Sequence, residues 1–280
     1  LAAVADLPGD TSALAVHVEV ETGLGRGGIG IAELATALDR LRGAAGVRPA
    51  ALWTHLQAPE DDEVTVAQLS LFDQAAEIAR TAGSPLPRHV AASAGILTRN
   101  VPPYEGVRPG LSVYGLVPDD LDPASAGAWA GVALRPAMSL HARPVRVADL
   151  PIDWGISYGP IFRTERPSRI ATLPFGYGDG WSRALSNRGQ ALVRGVRVPI
   201  VGRVAMDATM VDVTDVPGPP VDTFDTFVLI GQQGGDAITV ADVARLCTTN
   251  SWEVVTSMAR RLPRVYHAGS GPLGLRTLIS

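Results

Sequence analysis

The sequence predicts an α/β portion followed by an all-β portion, on three observations. Strand-like and helix-like segments alternate as far as about Pro118, a stretch containing Pro, Ala and Gly follows at Leu121–Ala130, and beyond it short apolar runs succeed one another between turn residues. Alternation of the first kind folds as parallel strands covered by helices, whereas short strands in close succession pair antiparallel. The expected division is residues 1–130 and 131–280, two domains of ordinary size within 280 residues.

Ala13–Val20 alternates apolar and polar residues like a half-buried strand, and Ile31, Leu34, Ala35, Leu38 and Leu41 recur at the spacing of one helical face. Ala50–His55 is a second apolar run. Thr65 followed by Gln68 spells a capping box for a helix reaching Thr81. Arg88–Ala92 and Gly106–Tyr114 supply a third and a fourth strand. Four such strands are half of a (β/α)8 barrel, whose length of ~250 residues would put about half of it upstream of Leu1; the alternative is a small open sheet. In the second portion strands are expected at Ser139–Val147, Arg169–Pro174, Ala191–Val201 with a turn near Gly195, Thr209–Val213 and Phe227–Ile230. Helices are expected at Thr239–Cys247 and Ser251–Arg261, and His267–Ser280 receives no element.

A net charge of -4 and the lack of a basic stripe remove electrostatic support for nucleic-acid binding. There is no apolar run of ~18 residues to span a membrane. Five histidines and one cysteine show no metal-ligand spacing, so no metal is expected. Cys247 has no partner for an intrachain disulfide, which fits a reducing cytoplasm and also suits many secreted enzymes. All 24 Lys+Arg residues are arginine. The chain begins at Leu1 without methionine or a signal pattern, so further sequence is expected before it.

Gly23-Leu24-Gly25-Arg26-Gly27-Gly28 fits the G-x-G-x-x-G pattern between a strand and a helix. No acidic residue ends a second strand about 20 residues on, and an arginine interrupts the turn that would cradle pyrophosphate. A loop aiming Arg26 at a carboxylate or phosphate, or a plain glycine turn, reads better. His55 ends a strand, where barrel enzymes place their sites, or is a structural histidine. Ser93 follows the third strand and suits phosphate binding or helix capping equally. Arg108 opens an apolar segment and must be paired or face a site, unless it lies on an exposed strand edge. Gly176–Trp181 packs three glycines around Tyr177 and Asp179, as a close backbone approach or an ordinary turn requires. Met206-Asp207 ends Gly202-Arg203-Val204-Ala205-Met206-Asp207, where a β-core methionine is the plainer reading. In Asp153–Pro160, DWGISYGP, a tyrosine stands between small residues.

Taken in order, VEVETGLGRGG (Val18–Gly28), WTH (Trp53–His55), ASA (Ala92–Ala94), VRPGLSVYG (Val107–Gly115), ISYG (Ile156–Gly159), LPFGYGDG (Leu173–Gly180), VGRVAMD (Val201–Asp207) with MVDVT (Met210–Thr214), and RLPRVY (Arg261–Tyr266) resemble the alanine racemase family. The similarity runs from about Val16 to Tyr266. It implies a cytoplasmic pyridoxal phosphate (PLP) enzyme of fold type III, with an N-terminal (β/α)8 barrel and a C-terminal β domain, interconverting L- and D-alanine for peptidoglycan precursors as a head-to-tail homodimer. By the same resemblance Tyr158 is the base on one face of the substrate. Arg108 faces the PLP ring nitrogen with His55 behind it, and Ser93, Gly110 and Leu111 match phosphate-binding positions. Arg26 contacts the cofactor oxygen and the substrate carboxylate, while Tyr177 and Met206 match substrate-entry and carboxylate-side positions, with Asp207 orienting. Racemisation needs two groups on opposite sides of a planar carbon, and a phenol of ordinary pKa ~10 needs nearby positive charge to be one of them.

Two departures from the family pattern stand out. Glu19 occupies the place of a lysine that is carboxylated in much of the family, so it is expected to supply an encoded negative charge for Arg26; a solvent-facing glutamate is the alternative. Arg260 stands where many relatives have a phosphate-contacting tyrosine, and arginine also serves phosphate. With no lysine, these 280 residues cannot bind PLP covalently and are expected to be inactive alone. A racemase of broader specificity, or a non-catalytic phosphate-binding or dimerisation remnant, are the competing readings. The set Tyr158, Arg26, Arg108 and Tyr177 argues against the remnant.

Overall fold

The computed structural model describes residues 14–98, 101–102, 104–121, 134–268 and 271–277. The chain divides into two compact units, Leu1–Arg135 and Pro136–Ser280. The expected boundary at 130/131, nearly all of the expected linker, Ala13 and the last three residues lie outside the described residues.

In the first unit, β1 (Leu14–Glu19), β2 (Val47–Trp53), β3 (Arg88–Ala92) and β4 (Gly106–Arg108) lie side by side in that order, every pair parallel. Between them run α1 (Leu34–Gly43), α2 (Asp62–Thr81) and α3 (Ser93–Thr98). Leu34, Leu38 and Leu41 of α1 and Phe72, Ala75 and Ala79 of α2 form one core with Val18, Leu52 and Val90. Leu34, Leu38, Leu41, Leu52 and Phe72 are each at most 2% exposed, and burying such a side chain contributes ~1.5–3 kcal/mol.

Two expectations need correction here. The cap of α2 is Asp61, whose carboxylate accepts the Val64 N–H at 3.1 Å; Thr65 and Gln68 lie further in and are buried. An acidic side chain beside the first free amides satisfies them before Thr65 is reached. The strand expected over Gly106–Tyr114 stops at Arg108, since Pro109 has no N–H for the ladder, and Leu111–Tyr114 forms a 3-10 turn.

The second unit is antiparallel throughout. One sheet has β7 (Ser168–Leu173) between β6 (Arg146–Leu150) and β10 (Thr209–Asp212). The other runs β12 (Asp236–Ile238), β11 (Phe227–Gln233), β8 (Gln190–Val193), β9 (Val196–Pro199), with β5 (Leu140–Ala142) also paired to β11. Residues 227–230 and 191–193 are continuous apolar runs at most 2% exposed, so this sheet is covered on both faces. The β8–β9 turn has positive φ at Arg194 and Gly195, the twist a two-residue hairpin needs.

The strand expected over Ser139–Val147 is two strands, parted before β6 at Arg143-Pro144. α4 (Val240–Cys247) and α5 (Ser251–Ser257) are capped by Thr239 and Asn250, each accepting the N–H of the third residue on. α5 ends at Ser257 rather than Arg261, where Gly180 packs against the last turn. The tail forms a hairpin, β13 (Arg264–Ala268) with β14 (Gly271–Arg276), which no period in the sequence indicates.

Candidate active site

The register of the parallel sheet sets Glu19 beside Trp53, Trp53 beside His89, His89 beside Gly106, and Ala92 beside Arg108. Lateral neighbours share a sheet face, and His17, two residues before Glu19, shares it too. The row therefore runs from the last residues of β1 and β2 to His89 near the start of β3, and Arg108, the last residue of β4, stands beside Ala92, the last of β3, at one edge of it.

Arg108 is the hub of that edge. Its guanidinium lies over the Trp53 ring, 4.5 Å from the centroid. Nη1 donates to the His89 carbonyl at 2.8 Å and to His89 Nδ1 at 2.9 Å. Nη2 donates to the carbonyls of Thr54 at 2.8 Å and Val90 at 3.0 Å, and approaches His55 Nδ1 at 3.3 Å. Nε–H is left as the donor without a partner among the described residues. Burial pushes the Arg108 pKa down and Glu19 opposes it, but a guanidinium stays charged. His55 is held below its ordinary pKa by burial and then by Arg108 and Arg26. His89 is pushed down to about 4 by burial, Arg108 and His17, so both rings are neutral acceptors at neutral pH.

The glycine loop is closed by its own acid. Glu21 accepts the N–H groups of Gly23 at 2.5 Å and Gly25 at 3.0 Å, bonds that lower its pKa. Amides that a dinucleotide pyrophosphate would need are already engaged, which weighs against that use of GLGRGG. Gly28 has φ +103°, and a Cβ there would lie 2.8 Å from Glu21 N, so only glycine lets the loop return beside β1. The return puts Arg26 Nη2 3.6 Å from Glu19 Oε1.

At the β3 and β4 ends, buried Ser93 accepts the amides of Gly110 at 2.9 Å and Ser112 at 3.2 Å, and lies 3.2 Å from Ser112 Oγ. Leu111, between those amides, is 2% exposed and anchors the turn. With the Gly110 and Ser112 amides engaged by Ser93 Oγ, the hydroxyls of Ser93 and Ser112 are the groups that this strand end can turn toward a phosphate.

In the second unit Tyr158 is 76% exposed on the connection between β6 and β7, within a loop closed by the Asp153 N–H donating to the Thr164 carbonyl at 2.7 Å. Ser157, held at φ +63°, donates Oγ–H to the Arg203 carbonyl at 2.8 Å. Gly202 meets Ile156 so closely that a Cβ would lie 2.9 Å from its Cγ2. Tyr177 N–H donates to the Ala205 carbonyl at 2.9 Å, and Gly178 N–H to that of Met206 at 2.8 Å. Residues 201–207 thus carry both tyrosine loops, and Tyr177 and Met206 are left 46% and 58% exposed. Asp207 is exposed beside Met206 and contributes to the field that raises the Arg261 pKa after Asp179. Arg260 is exposed in the turn after α5.

Several contacts of this arrangement are missing from the sequence reading. His17 and His89 bond to one another at 2.8 Å, and buried Gln68 donates to Thr22 Oγ1 and the His55 carbonyl while accepting Gln57 N–H. Asp179, 7% exposed at its side chain, accepts Gly176 N–H at 3.0 Å and Arg261 Nε–H at 2.6 Å. The period-2 relation of His17 to Glu19 was a usable signal; the other pairings depend on register and loop packing. Among the described residues no cluster of His, Cys, Asp and Glu could hold a metal ion, and no helix is long and apolar enough to cross a membrane.

Sequence models of two domains match the chain: alanine racemase, N-terminal domain, over residues 1–118, and alanine racemase, C-terminal domain, over residues 137–266. The alanine racemase of Symbiobacterium thermophilum is 41% identical over 254 residues, covering 90% of this chain and 65% of that protein. The structure of alanine racemase from Bacillus anthracis with bound L-Ala-P superposes with a TM-score of 0.85 at 30% identity, covering 95% of this chain and 67% of that one. That of the Bartonella henselae alanine racemase with covalently bound pyridoxal phosphate gives 0.73 at 27% identity, over 90% and 66%. The chain spans about 65% of the length of the first curated relatives it matches.

Proposed function

The chain belongs to the alanine racemase family, and on that premise we propose that it acts, as part of the full-length protein, in PLP-dependent interconversion of L- and D-alanine for peptidoglycan precursors in the cytoplasm. The observation that carries the reading is the Arg108 hub beside the Ser93 donor set, at the carboxyl ends of parallel strands. The residues present fit PLP: Ser93, Gly110 and Leu111 would take the phosphate, Arg108 Nε–H the ring nitrogen, and His55 would pack behind the ring. Arg260 is proposed as a further phosphate partner. When bound, PLP supplies the electron sink that makes the substrate α-proton removable.

The chain's own residues do the rest. Arg26, oriented by Glu19, takes the substrate carboxylate. Arg108 would bring a permanent charge to the ring nitrogen and disfavour its protonation. Tyr158 Oη takes or returns the α-proton on one face. Tyr177 and Met206, with Asp207 beside them, line the entry and the carboxylate side. The parallel sheet is proposed to be the closing half of a (β/α)8 barrel. The protein is proposed to work as a head-to-tail homodimer, the second unit of one subunit completing the site of the other. None of these 280 residues is a lysine, so the covalent anchor and the opposite-face base come from outside them, and the 280 residues alone are expected to be inactive.

The test is L-alanine with the full-length protein in deuterated water. D-alanine carrying α-deuterium is expected, and a Tyr158→Phe variant should lose at least ~100-fold in kcat. Faster racemisation of another amino acid would select the broader-specificity enzyme, and no α-exchange with any amino acid would overturn the catalytic reading.

A further inference from the structure

A chain of hydrogen bonds leads from Arg108 on β4 across the first sheet to β1. Arg108 Nη1 meets His89 Nδ1 at 2.9 Å, and His89 Nε2 meets His17 Nδ1 at 2.8 Å. His89 is 9% exposed and its ring is parallel to Trp53 within 8°, whereas His17 sits exposed on β1. The direction of the chain follows from the donors. A guanidinium only donates, so His89 Nδ1 must offer its lone pair. Neutral His89 then carries its proton on Nε2 and donates it to His17, whose Nδ1 must in turn be unprotonated. A proton on His17 Nδ1 would set two N–H groups against each other at 2.8 Å, and moving the His89 proton to Nδ1 would aim it at Arg108.

We propose that His17 is a positioning residue for Arg108, acting through His89. By accepting the His89 Nε2–H it engages the far side of that ring, so the imidazole cannot turn about its Cβ–Cγ bond and its Nδ1 stays on the guanidinium. Arg108 Nη1 keeps its acceptor, and Nε–H keeps its direction. Glu19, two residues along the same face, orients Arg26 in a parallel way, so alternate positions of one strand serve the two arginines of the site. The effect on turnover rests on the racemase reading; the histidine tautomers do not.

The experiment uses full-length protein labelled with 15N-histidine and read without substrate. Long-range proton–nitrogen spectra should show His89 protonated on Nε2 alone, with His17 Nδ1 unprotonated. In activity, His17→Leu should lower kcat about tenfold, the scale of one oriented hydrogen bond, with a smaller effect on KM. His17→Asn, whose Oδ1 occupies the place of Nδ1 and accepts the same proton, should restore kcat to within about twofold. A proton on His89 Nδ1 in the unsubstituted protein would overturn the inference. So would a Leu variant with unchanged His89 signals and unchanged turnover. If the unsubstituted protein does not racemise alanine yet shows both tautomers as described, the racemase reading fails and the positioning of Arg108 stands.

Discussion

Glu19 and Arg26 stand 3.6 Å apart, carboxylate to guanidinium, across the loop that leaves β1 and is folded back by Gly28. The Arg26 side chain is 59% exposed and that of Glu19 24%, so the pair adds no more than ~1 kcal/mol to stability. The effect proposed for it is orientation of Arg26, in the place where the family resemblance puts a carboxylated lysine.

Glu19→Gln removes the charge and keeps the shape. Unfolding by urea should change by less than ~1 kcal/mol, while KM for alanine rises several-fold and kcat falls as Arg26 loosens. Steady-state kinetics unchanged from the parent would eliminate Glu19 as the substitute charge.

Arg108→Lys keeps the charge and loses the fork. One ammonium cannot serve the carbonyls of Thr54, His89 and Val90 together with two imidazoles. Each acceptor left unpaired costs ~1–3 kcal/mol, so a loss of at least ~2 kcal/mol in urea unfolding is expected, with weaker PLP binding by fluorescence titration.

Gly176→Ala should be among the most damaging small substitutions in the second unit. Its Cβ would collide with the Ala205 carbonyl and lie 2.7 Å from the Met206 carbonyl carbon, forcing apart the loops that carry Tyr177 and Met206. A loss above ~2 kcal/mol is expected on thermal unfolding. Gly30→Ala, with open space at its Cβ and φ -62°, should stay within ~0.5 kcal/mol.

Stability should fall as the pH drops from about 6.5 to about 4. His89 has its pKa depressed in the fold to about 4, so in that window the unfolded chain takes a proton that the folded chain refuses. Above the window the ring is neutral in both states, and below it both are protonated and the loss is complete. At about 1.4 kcal/mol per unit the total is bounded at roughly 3 kcal/mol. The lowered His55 pKa acts in the same direction. His89→Gln should flatten this part of the stability–pH curve measured by urea unfolding.

The fold was legible wherever local periodicity and burial agree. Leu34, Leu38 and Leu41 mark α1, and the apolar run ending at Ile230 marks β11, because each buries its own repeating face. Two of the failures were local competitions: Asp61 capped α2 before Thr65 could, and Pro109 stopped β4. Of the candidate site, His55 and Ser93 were singled out at strand ends, Arg26 in its glycine loop, Arg108 as a charge opening an apolar segment, and Glu19 through the family resemblance alone. The partners of His17, His89, Gln68 and Asp179 were not legible, since each comes from a segment distant in sequence or from a loop conformation.

By itself the sequence determined the two kinds of fold, the family and the residue types of the site, because propensity, periodicity and motif order are properties of a single stretch of chain. Only the tertiary structure decided the partners. The register that puts Glu19, Trp53 and His89 in one row lets Arg108 spend both terminal nitrogens on neighbouring strands, and close glycine contacts join the loops of Tyr158, Tyr177 and Met206. Hydrogen bonds extend about 3 Å, and which residues come within that reach depends on how separate strands and loops are stacked.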